Sequence, residues 1–415
     1  MFCHFGLILL LAAATVALCA QPAHAAESVL ERTDLFKAGE NGYAMCRIPG
    51  VCVSKRGTIL VYCEGRSGSG DWTPQDILLR RSTDSGKTWT DPKVISKRPP
   101  NLQPNPAGLK QGLTKADKVT AHNAICIADA ETSAVHMLYG IEYSCFFHIV
   151  SADEGETWSE PVEVTEALSA YRKDYPWVVV GNGCGHGIQL SKGPHAGRMM
   201  TAFWFSLGTG GHAHRPSDVG VLFSDDKGKT WQTGGFIARN EQAAVDGRKI
   251  VNPNETMLVE LPDGRVMANI RSESEANRRL IALSADGGET WEKAAFNDEL
   301  AEPICMASMV RLADGGVLFS NPDSLLCNGK PGKPGQTRDR RNLSIRLTRD
   351  DGKTWGVKRS LEEGFSGYSD LGVMSDGTVL CFYERGAAKG NHYSTEALTL
   401  VRFNLDWLTS TERKP

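Results

Sequence analysis

The sequence has no excess of positive charge. Lys and Arg number 46 against 49 Asp and Glu, for a formal net charge of −3. That excludes a basic field able to gather nucleic acid. Cysteine is not arranged for metal or for a disulfide framework. No Cys-x-x-Cys pair suggests zinc. Of the 11 cysteines, Cys3 and Cys19 come early. The other nine, at 46, 52, 63, 126, 145, 184, 305, 327 and 381, are odd in number and scattered through strand-like runs. They read as small buried hydrophobes. No membrane-length apolar run is present either. Phe5–Leu18 is too short for a comfortable span, and stable membrane insertion is not expected. It is followed by Ala23-His24-Ala25, a small-x-small cleavage site, and preceded by His4 but no Lys or Arg. Residues 1–25 read as a secretory signal peptide. A lipid anchor at Cys19 is disfavoured, because bulky Leu18 stands where a small residue belongs. The expected mature chain begins near Ala26 and is exported, secreted or periplasmic. Finally, no Pro/Gly/Ser linker or shift in composition marks a domain boundary. Length alone, at 415 residues, would suggest two or three domains. The reading here is one domain over 26–415, with an apolar fraction of 41% to build its core.

What the sequence does have is a repeat. Ser82-Thr-Asp-Ser-Gly-Lys-Thr-Trp89 returns as Ser151–Trp158, Ser224–Trp231, Ser284–Trp291 and Thr348–Trp355. The shared pattern is Ser/Thr-x-Asp-x-Gly-x-Thr-Trp, and its spacing indicates a repeat architecture. Each position has a physical use. Asp and Ser side chains bond nearby backbone N–H groups, and Gly takes positive φ. Thr is strand-prone, and Trp carries a large apolar area with one N–H. The pattern describes a tight hairpin turn whose Trp plugs a gap between units. A calcium loop would need several more acidic ligands and a terminal Glu.

Short alternating or apolar runs lie between these turns and read as strands. In the first unit they are Ile48–Ser54, Thr58–Glu64 and Ile77–Ser82. In the fourth they are Thr256–Leu261, Val266–Ile270 and Leu280–Ser284. Each unit is therefore a four-stranded antiparallel meander, with the repeat turn joining its third and fourth strands. Units start near Arg47, Asn123, Gly185, Glu255, Cys305 and Tyr368. The last, with Leu371–Met374, Val379–Tyr383 and Leu398–Phe403, lacks its outer strand. The N-terminal Val29–Phe36 supplies it and closes the ring. The expectation is an all-β fold, a six-bladed β-propeller with repeat turns on five blades.

This topology puts the repeat turns at one end of the ring. Charged and aromatic residues before the first strand or after the second strand of each unit fall at the other end. They include Arg47, Glu64, Arg66, Asp71, Glu255, Arg271, Tyr368 and Glu384, with Arg340 just ahead of a third strand. Such a cluster is costly unless its members pair with one another or with a ligand. Several converging guanidiniums suit a planar carboxylate. A Tyr beside a Glu suggests a phenol activated by a base, since a free phenol titrates near 10. Asp71 is left as general acid, provided burial raises its pKa. The combination fits hydrolysis of a glycoside whose sugar carries a carboxylate at the anomeric carbon. A carboxylate nucleophile would meet like charge there, and a neutral phenol would not.

Taken in order, Arg47-Ile48-Pro49, the five repeat turns, Asn254-Glu255, Arg271, Arg340-x-x-Leu343, Tyr368-Ser369-Asp370 and Tyr383-Glu384-Arg385 resemble the exo-α-sialidases (neuraminidases) of bacterial and animal type. The resemblance covers nearly all of the chain after the leader, and the repeat turns match the family's Asp-boxes. It implies that Arg47, Arg271 and Arg340 bind the sugar carboxylate, and that Glu384 orients Arg47. It implies Tyr368 as nucleophile, Glu255 as its base, Asp71 as acid/base catalyst and Arg66 as a substrate contact. The implied mechanism is retaining, through a tyrosyl-glycosyl intermediate. Implied partners are sialylated glycans. No cofactor or metal is needed.

Competing assignments follow from position. Asp76 rivals Asp71 but starts a strand directly, as a solvated edge acid would. Arg341 rivals Arg340, but the spacing to Leu343 favours Arg340. His212 and His214 form a His-x-His that reads as solvated loop, since no third metal ligand is evident. Glu142 and Tyr143 also reach the charged end. Asn254-Glu255-Thr256 is formally a glycosylation triplet, and a site role for Glu255 requires Asn254 to stay unmodified. Alternative functions are trans-sialylation, hydrolysis of a related acidic sugar, or glycan binding without catalysis.

Overall fold

The computed structural model describes residues 1, 28–115, 120–391 and 393–410. Apart from Met1, the expected leader lies outside them. The fold is all-β and propeller-like, built from antiparallel sheets whose strands alternate or bury both faces. β1 (Leu30–Lys37) leads into β2 (Met45–Val53), β3 (Ile59–Arg66), β4 (Gln75–Ser82) and β5 (Lys93–Val94). The last four form one sheet in chain order. β6 (Ala121–Ala128), β7 (Val135–Ile141), β8 (Cys145–Ser151) and β9 (Val162–Glu163) form the next. A five-stranded sheet contains β10 (Val179–Asn182), β11 (Ile188–Gln189), β12 (Met199–Gly210), β13 (Arg215–Ser224) and β14 (Gln232–Thr233). β15 (Thr256–Glu260), β16 (Val266–Ile270), β17 (Arg278–Ser284) and β18 (Ala295–Ala301) follow as a four-stranded sheet.

The last stretch departs from the expected separate units. β19 (Ser308–Arg311) and β20 (Val317–Pro322) are followed by a small hairpin, β21 (Leu326–Cys327) and β22 (Lys330–Pro331). Then come β23 (Arg341–Thr348), β24 (Val357–Val373), β25 (Val379–Arg385) and β26 (Ala397–Phe403). These, without the hairpin, join β1 in one seven-stranded sheet of order β1-β26-β25-β24-β23-β20-β19. The cause is β24, a strand of 17 residues. Its first part pairs with β23 and its second with β25. The sequence Leu361-Glu-Glu-Gly-Phe-Ser-Gly contains no Pro to end a strand, so the chain stays extended where a crossing loop was expected. At the other end of the chain, β1 pairs with β26 from Leu30↔Phe403 to Lys37↔Ala397, as the ring-closing reading anticipates.

The third sheet also starts earlier than expected, at Val179 rather than near Gly185. Gly183 explains the break that follows, because a Cβ there would sit 2.1 Å from the Thr256 carbonyl oxygen. Only glycine permits that approach to the neighbouring sheet.

Hydrophobic clusters fill the gaps between successive sheets. Tyr62 and Leu60 meet Tyr139 and Met137 in one gap. Phe146 and Leu138 meet Phe203 and Phe205 in the next. Val61 and Cys63 of β3 meet Leu380 and Phe382 of β25, which seals the ring. Burying each such side chain contributes about 1.5–3 kcal/mol.

The repeat turns are alike in detail. Asp84, Asp153, Asp226, Asp286 and Asp350 each accept the backbone N–H of the Thr four residues on at 2.8–2.9 Å. Each also accepts that Thr's hydroxyl at 2.5–2.7 Å. The Gly of each turn has φ between 78° and 92°, which explains its place in the repeat. Strand register separates these turns from the charged residues. Val53, Ile59 and Ser82 align at the repeat-turn end, and Met45, Arg66 and Gln75 at the other.

Candidate active site

At that other end, inner strands carry irregularities that re-aim side chains. Register shifts interrupt β2 between Arg47 and Gly50, β6 between His122 and Ile125, and β24 between Ser366 and Ser369. Ile48 adopts φ 58° and Ile304 φ 53°. For a β-branched residue this is strained backbone, costing roughly 1–3 kcal/mol, and it clusters where function needs a fixed geometry.

These strand ends surround a cavity of about 590 Å³. Arg47, Arg66, Asp71, Glu255, Arg271, Arg340 and Tyr368 all line it. Glu384 stands behind, 1% exposed. Its Oε1 accepts Arg47 Nε at 2.9 Å and the strained Ile48 N–H at 3.1 Å. Its Oε2 accepts Arg47 Nη2 and the Tyr368 N–H, each at 3.1 Å. One carboxylate thus fixes Arg47 and the backbone of Tyr368 together. Burial would raise the pKa of Glu384, but Arg47, Arg340 and the Ile48 N–H together lower it.

Tyr368 donates its hydroxyl hydrogen to Glu255 Oε1 at 2.5 Å and accepts Arg271 Nη1 at 2.8 Å. Arg271 Nη1 also pairs with Glu255 Oε2. Burial first, then the Glu255 charge, pushes the phenol well above its usual 10, against the pull of Arg271 and Arg340. The Arg340 guanidinium lies 5.0 Å from the Tyr368 ring centre, and Arg47 lies 5.2 Å from it. Arg340 Nη2 donates to the Ile304 carbonyl at 2.9 Å. Its Nε and Nη1, and Nε of Arg271, are buried with no hydrogen-bond partner. Because Arg271 and Arg340 line the cavity, these unpaired donors are available to an anion there.

Arg66 is held between two carboxylates. It pairs with Glu64 Oε2 at 2.8 and 2.5 Å, and with Asp71 Oδ1 at 2.9 Å. The Glu64-Gly65-Arg66 spacing puts both side chains on one face of β3. Glu64 Oε1 also accepts the Asn123 N–H at 2.7 Å. The condition placed on Asp71 is not met. Its side chain is 37% exposed. Burial would raise its pKa, but the charges of Arg66, His214 and Arg47 prevail and hold it well below the usual carboxylate range.

The rival assignments separate. Asp76 lies within β4, takes the Tyr43 hydroxyl at 2.9 Å and Arg98 at 2.6 Å, and does not line the cavity. Arg341 lies 4.8 Å from the Phe365 ring, away from the cavity that Arg340 lines. Glu142 is an anchor for loop backbone, accepting the N–H groups of Asn105 and Thr120. Asn254 lines the cavity, and its Oδ1 accepts the Glu255 N–H at 3.0 Å.

The solvated-loop reading holds for His212, which is exposed in the turn, but not for His214. His214 packs 4.9 Å from the rings of both Tyr143 and Trp204 and 6.0 Å from Trp72. Burial lowers its pKa to about 4, against Asp71 and Glu255. Among the described residues no group of three or more His, Cys, Asp or Glu is placed to hold a metal ion. Sequence reasoning also missed Trp204, Arg215, Asn252, Glu273, Arg338 and Tyr393 on the cavity wall. Of these only Arg338, two residues before Arg340, had a signal in its spacing.

The arrangement can bind a carboxylate through three arginines, present a phenol beside a base, and offer one solvent-facing carboxylate. Comparison with known proteins agrees in kind. The family profile described as "BNR repeat-like domain" matches residues 122–381. A sialidase of Micromonospora viridifaciens is 30% identical over 435 residues, covering 96% of this chain and 58% of that protein. A sialidase of Bacteroides fragilis (strain YCH46) is 28% identical over 396 residues, covering 88% of this chain and 63% of that protein. The chain therefore spans about six-tenths of the length of these two relatives. An intramolecular trans-sialidase from Ruminococcus gnavus, solved with oseltamivir carboxylate, superposes with a TM-score of 0.69 over 91% of this chain and 98% of its own, at 20% identity.

Proposed function

The chain belongs to the BNR repeat-like domain family, and on that premise we propose that it is an exo-α-sialidase removing terminal α-linked sialic acid from glycoconjugates by a retaining mechanism. One observation carries the reading: Tyr368, Glu255 and Arg271 share a hydrogen-bonded cluster beside the unsatisfied guanidinium donors of Arg271 and Arg340.

The proposed steps follow from that geometry. Arg47, Arg271 and Arg340 hold the sugar carboxylate. Tyr368 Oη attacks the anomeric carbon while its proton passes to Glu255. The bond to the leaving oxygen breaks, and Asp71 supplies the proton that oxygen takes. Water then attacks the anomeric carbon of the tyrosyl-glycosyl intermediate, giving a proton to Asp71, and Glu255 returns a proton to Tyr368. Asp71 must be protonated to begin. An incoming carboxylate offsets the positive charge of Arg47 and so favours that state.

The architecture proposed for this function is a six-bladed propeller over residues 26–415, in which the seven-stranded sheet counts as two blades joined through β24. Export of the chain after removal of residues 1–25 belongs to the same proposal.

The test is release of a fluorophore from an α-linked sialoside by purified protein, beside Tyr368→Phe. Turnover in the first and a loss of at least about a thousandfold in the second is expected. A folded protein with no turnover would leave a binding propeller instead, and added sugar acceptors in the same assay would reveal transfer.

A further inference from the structure

We propose that the buried pair Arg279–Glu302 is a positioning device that sets two carboxylate-binding arginines, Arg271 and Arg340, through one loop. The inference rests on the sialidase reading of the site.

Neither residue reaches the cavity. Arg279 is 0% exposed and Glu302 1%. Glu302 Oε2 accepts Arg279 Nη1 at 2.7 Å and the backbone N–H of Ser272, the residue after Arg271, at 3.2 Å. Glu302 Oε1 accepts the Cys305 N–H at 3.0 Å, and Arg279 Nη1 donates to the Cys305 carbonyl at 2.9 Å. The short loop 302–305 is thereby closed on itself. At its tip Ile304 is held at φ 53°, and its carbonyl takes Nη2 of Arg340 at 2.9 Å. Thr337 Oγ1 adds a bond to the Glu302 carbonyl at 2.6 Å.

The chain of contacts therefore has two branches from one carboxylate. One reaches Arg271 through the backbone of Ser272. The other reaches Arg340 through Cys305 and the strained Ile304. Arg340 has no hydrogen-bond partner at Nε or Nη1, so the Ile304 carbonyl sets which way its free N–H groups face. A buried ion pair is weak evidence for stability, since apolar residues of like volume often serve as well. Apolar residues could not accept the Ser272 and Cys305 N–H groups or hold Ile304 in a left-handed conformation. Fixed guanidinium geometry matters because carboxylate recognition by arginine is directional.

The experiment is calorimetric binding of free sialic acid and of its methyl ester to wild-type protein, Glu302→Gln and the double variant Arg279→Met/Glu302→Leu. The ester keeps the sugar and removes the anion. Affinity for the acid should fall about tenfold or more in both variants, with that for the ester moving less than about twofold. KM for a sialoside should rise with kcat largely kept. Equal weakening of acid and ester, or unchanged selectivity, would overturn the inference. Should the charge variants not fold, Thr337→Val loosens the same loop without unpairing a charge and carries the same acid-over-ester expectation. Wild-type protein that binds neither ligand would overturn the sialidase reading itself; wild-type selectivity kept in the variants would overturn this inference alone.

Discussion

Tyr368 donates its phenolic hydrogen to Glu255 across 2.5 Å. That direction matters, because the phenol is pushed well above its usual range and stays neutral until attack. Glu255 is then the group that must accept the proton. Glu255→Gln keeps an acceptor oxygen but cannot take the charge. It should lower kcat roughly 10²–10⁴-fold while the protein stays folded, though less stable because Arg271 loses its partner. Steady-state kinetics near wild type would remove Glu255 from the mechanism.

Arg47 and Glu384 are 5% and 1% exposed. Removing one partner strands a buried charge, which costs about 3–5 kcal/mol. Glu384→Ala also unpairs the Ile48 and Tyr368 N–H groups. Denaturant unfolding should show a loss of that size, together with weaker binding of the acidic sugar. A loss below about 1 kcal/mol would contradict a tie of this kind.

Asp71 is anionic in the free site, held low chiefly by Arg66. A proton must be gained when substrate binds. The acid group seen in kcat, which reports the complex, should therefore titrate higher than the one seen in kcat/KM, which reports free protein. Asp71→Asn should lose at least about tenfold more activity on an alkyl-linked sialoside than on an aryl one, whose leaving oxygen needs no proton. Equal losses would assign Asp71 to binding alone.

Buried histidines make the fold acid-sensitive. His122 accepts the Tyr143 N–H at Nε2, so that nitrogen must be unprotonated. Burial foremost lowers its pKa to about 3, and that of His148 to about 4. Both are bases depressed on folding, so the unfolded chain takes up protons first. Stability is full above the ordinary histidine value of about 6.5 and falls as pH drops from there toward about 4, by on the order of 3 kcal/mol for His148. Unfolding free energies measured at pH 7 and pH 5 should differ in that direction. A pH-independent value would contradict neutral burial.

Much of this molecule was legible in the sequence because it rests on short-range chemistry. The repeat turns needed only their own side chains, and the Val266–Ile270 strand emerged with the bounds read from its alternation. Arg47, Glu255, Arg271, Arg340 and Tyr368 could be placed at one end because antiparallel pairing fixes which strand ends coincide. What was hidden depended on distant partners. The low pKa of Asp71 follows from Arg66 and His214, one on β3 and one in the turn between β12 and β13. The packing of His214 depends on Trp72, Tyr143 and Trp204, far apart in the chain. The long β24 was missed because a charged, Gly-containing stretch reads as loop until strands flank it on both sides.

The central claim is that Tyr368 becomes covalently glycosylated. The direct measurement is mass analysis of peptides after incubation with a 2,3-difluoro sialic acid, whose fluorine slows release of the intermediate. One added sugar is expected on the peptide carrying Tyr368, absent from Tyr368→Phe. A wild-type protein that turns over sialosides yet carries no adduct, or carries it on Glu255 or Asp71, would contradict it.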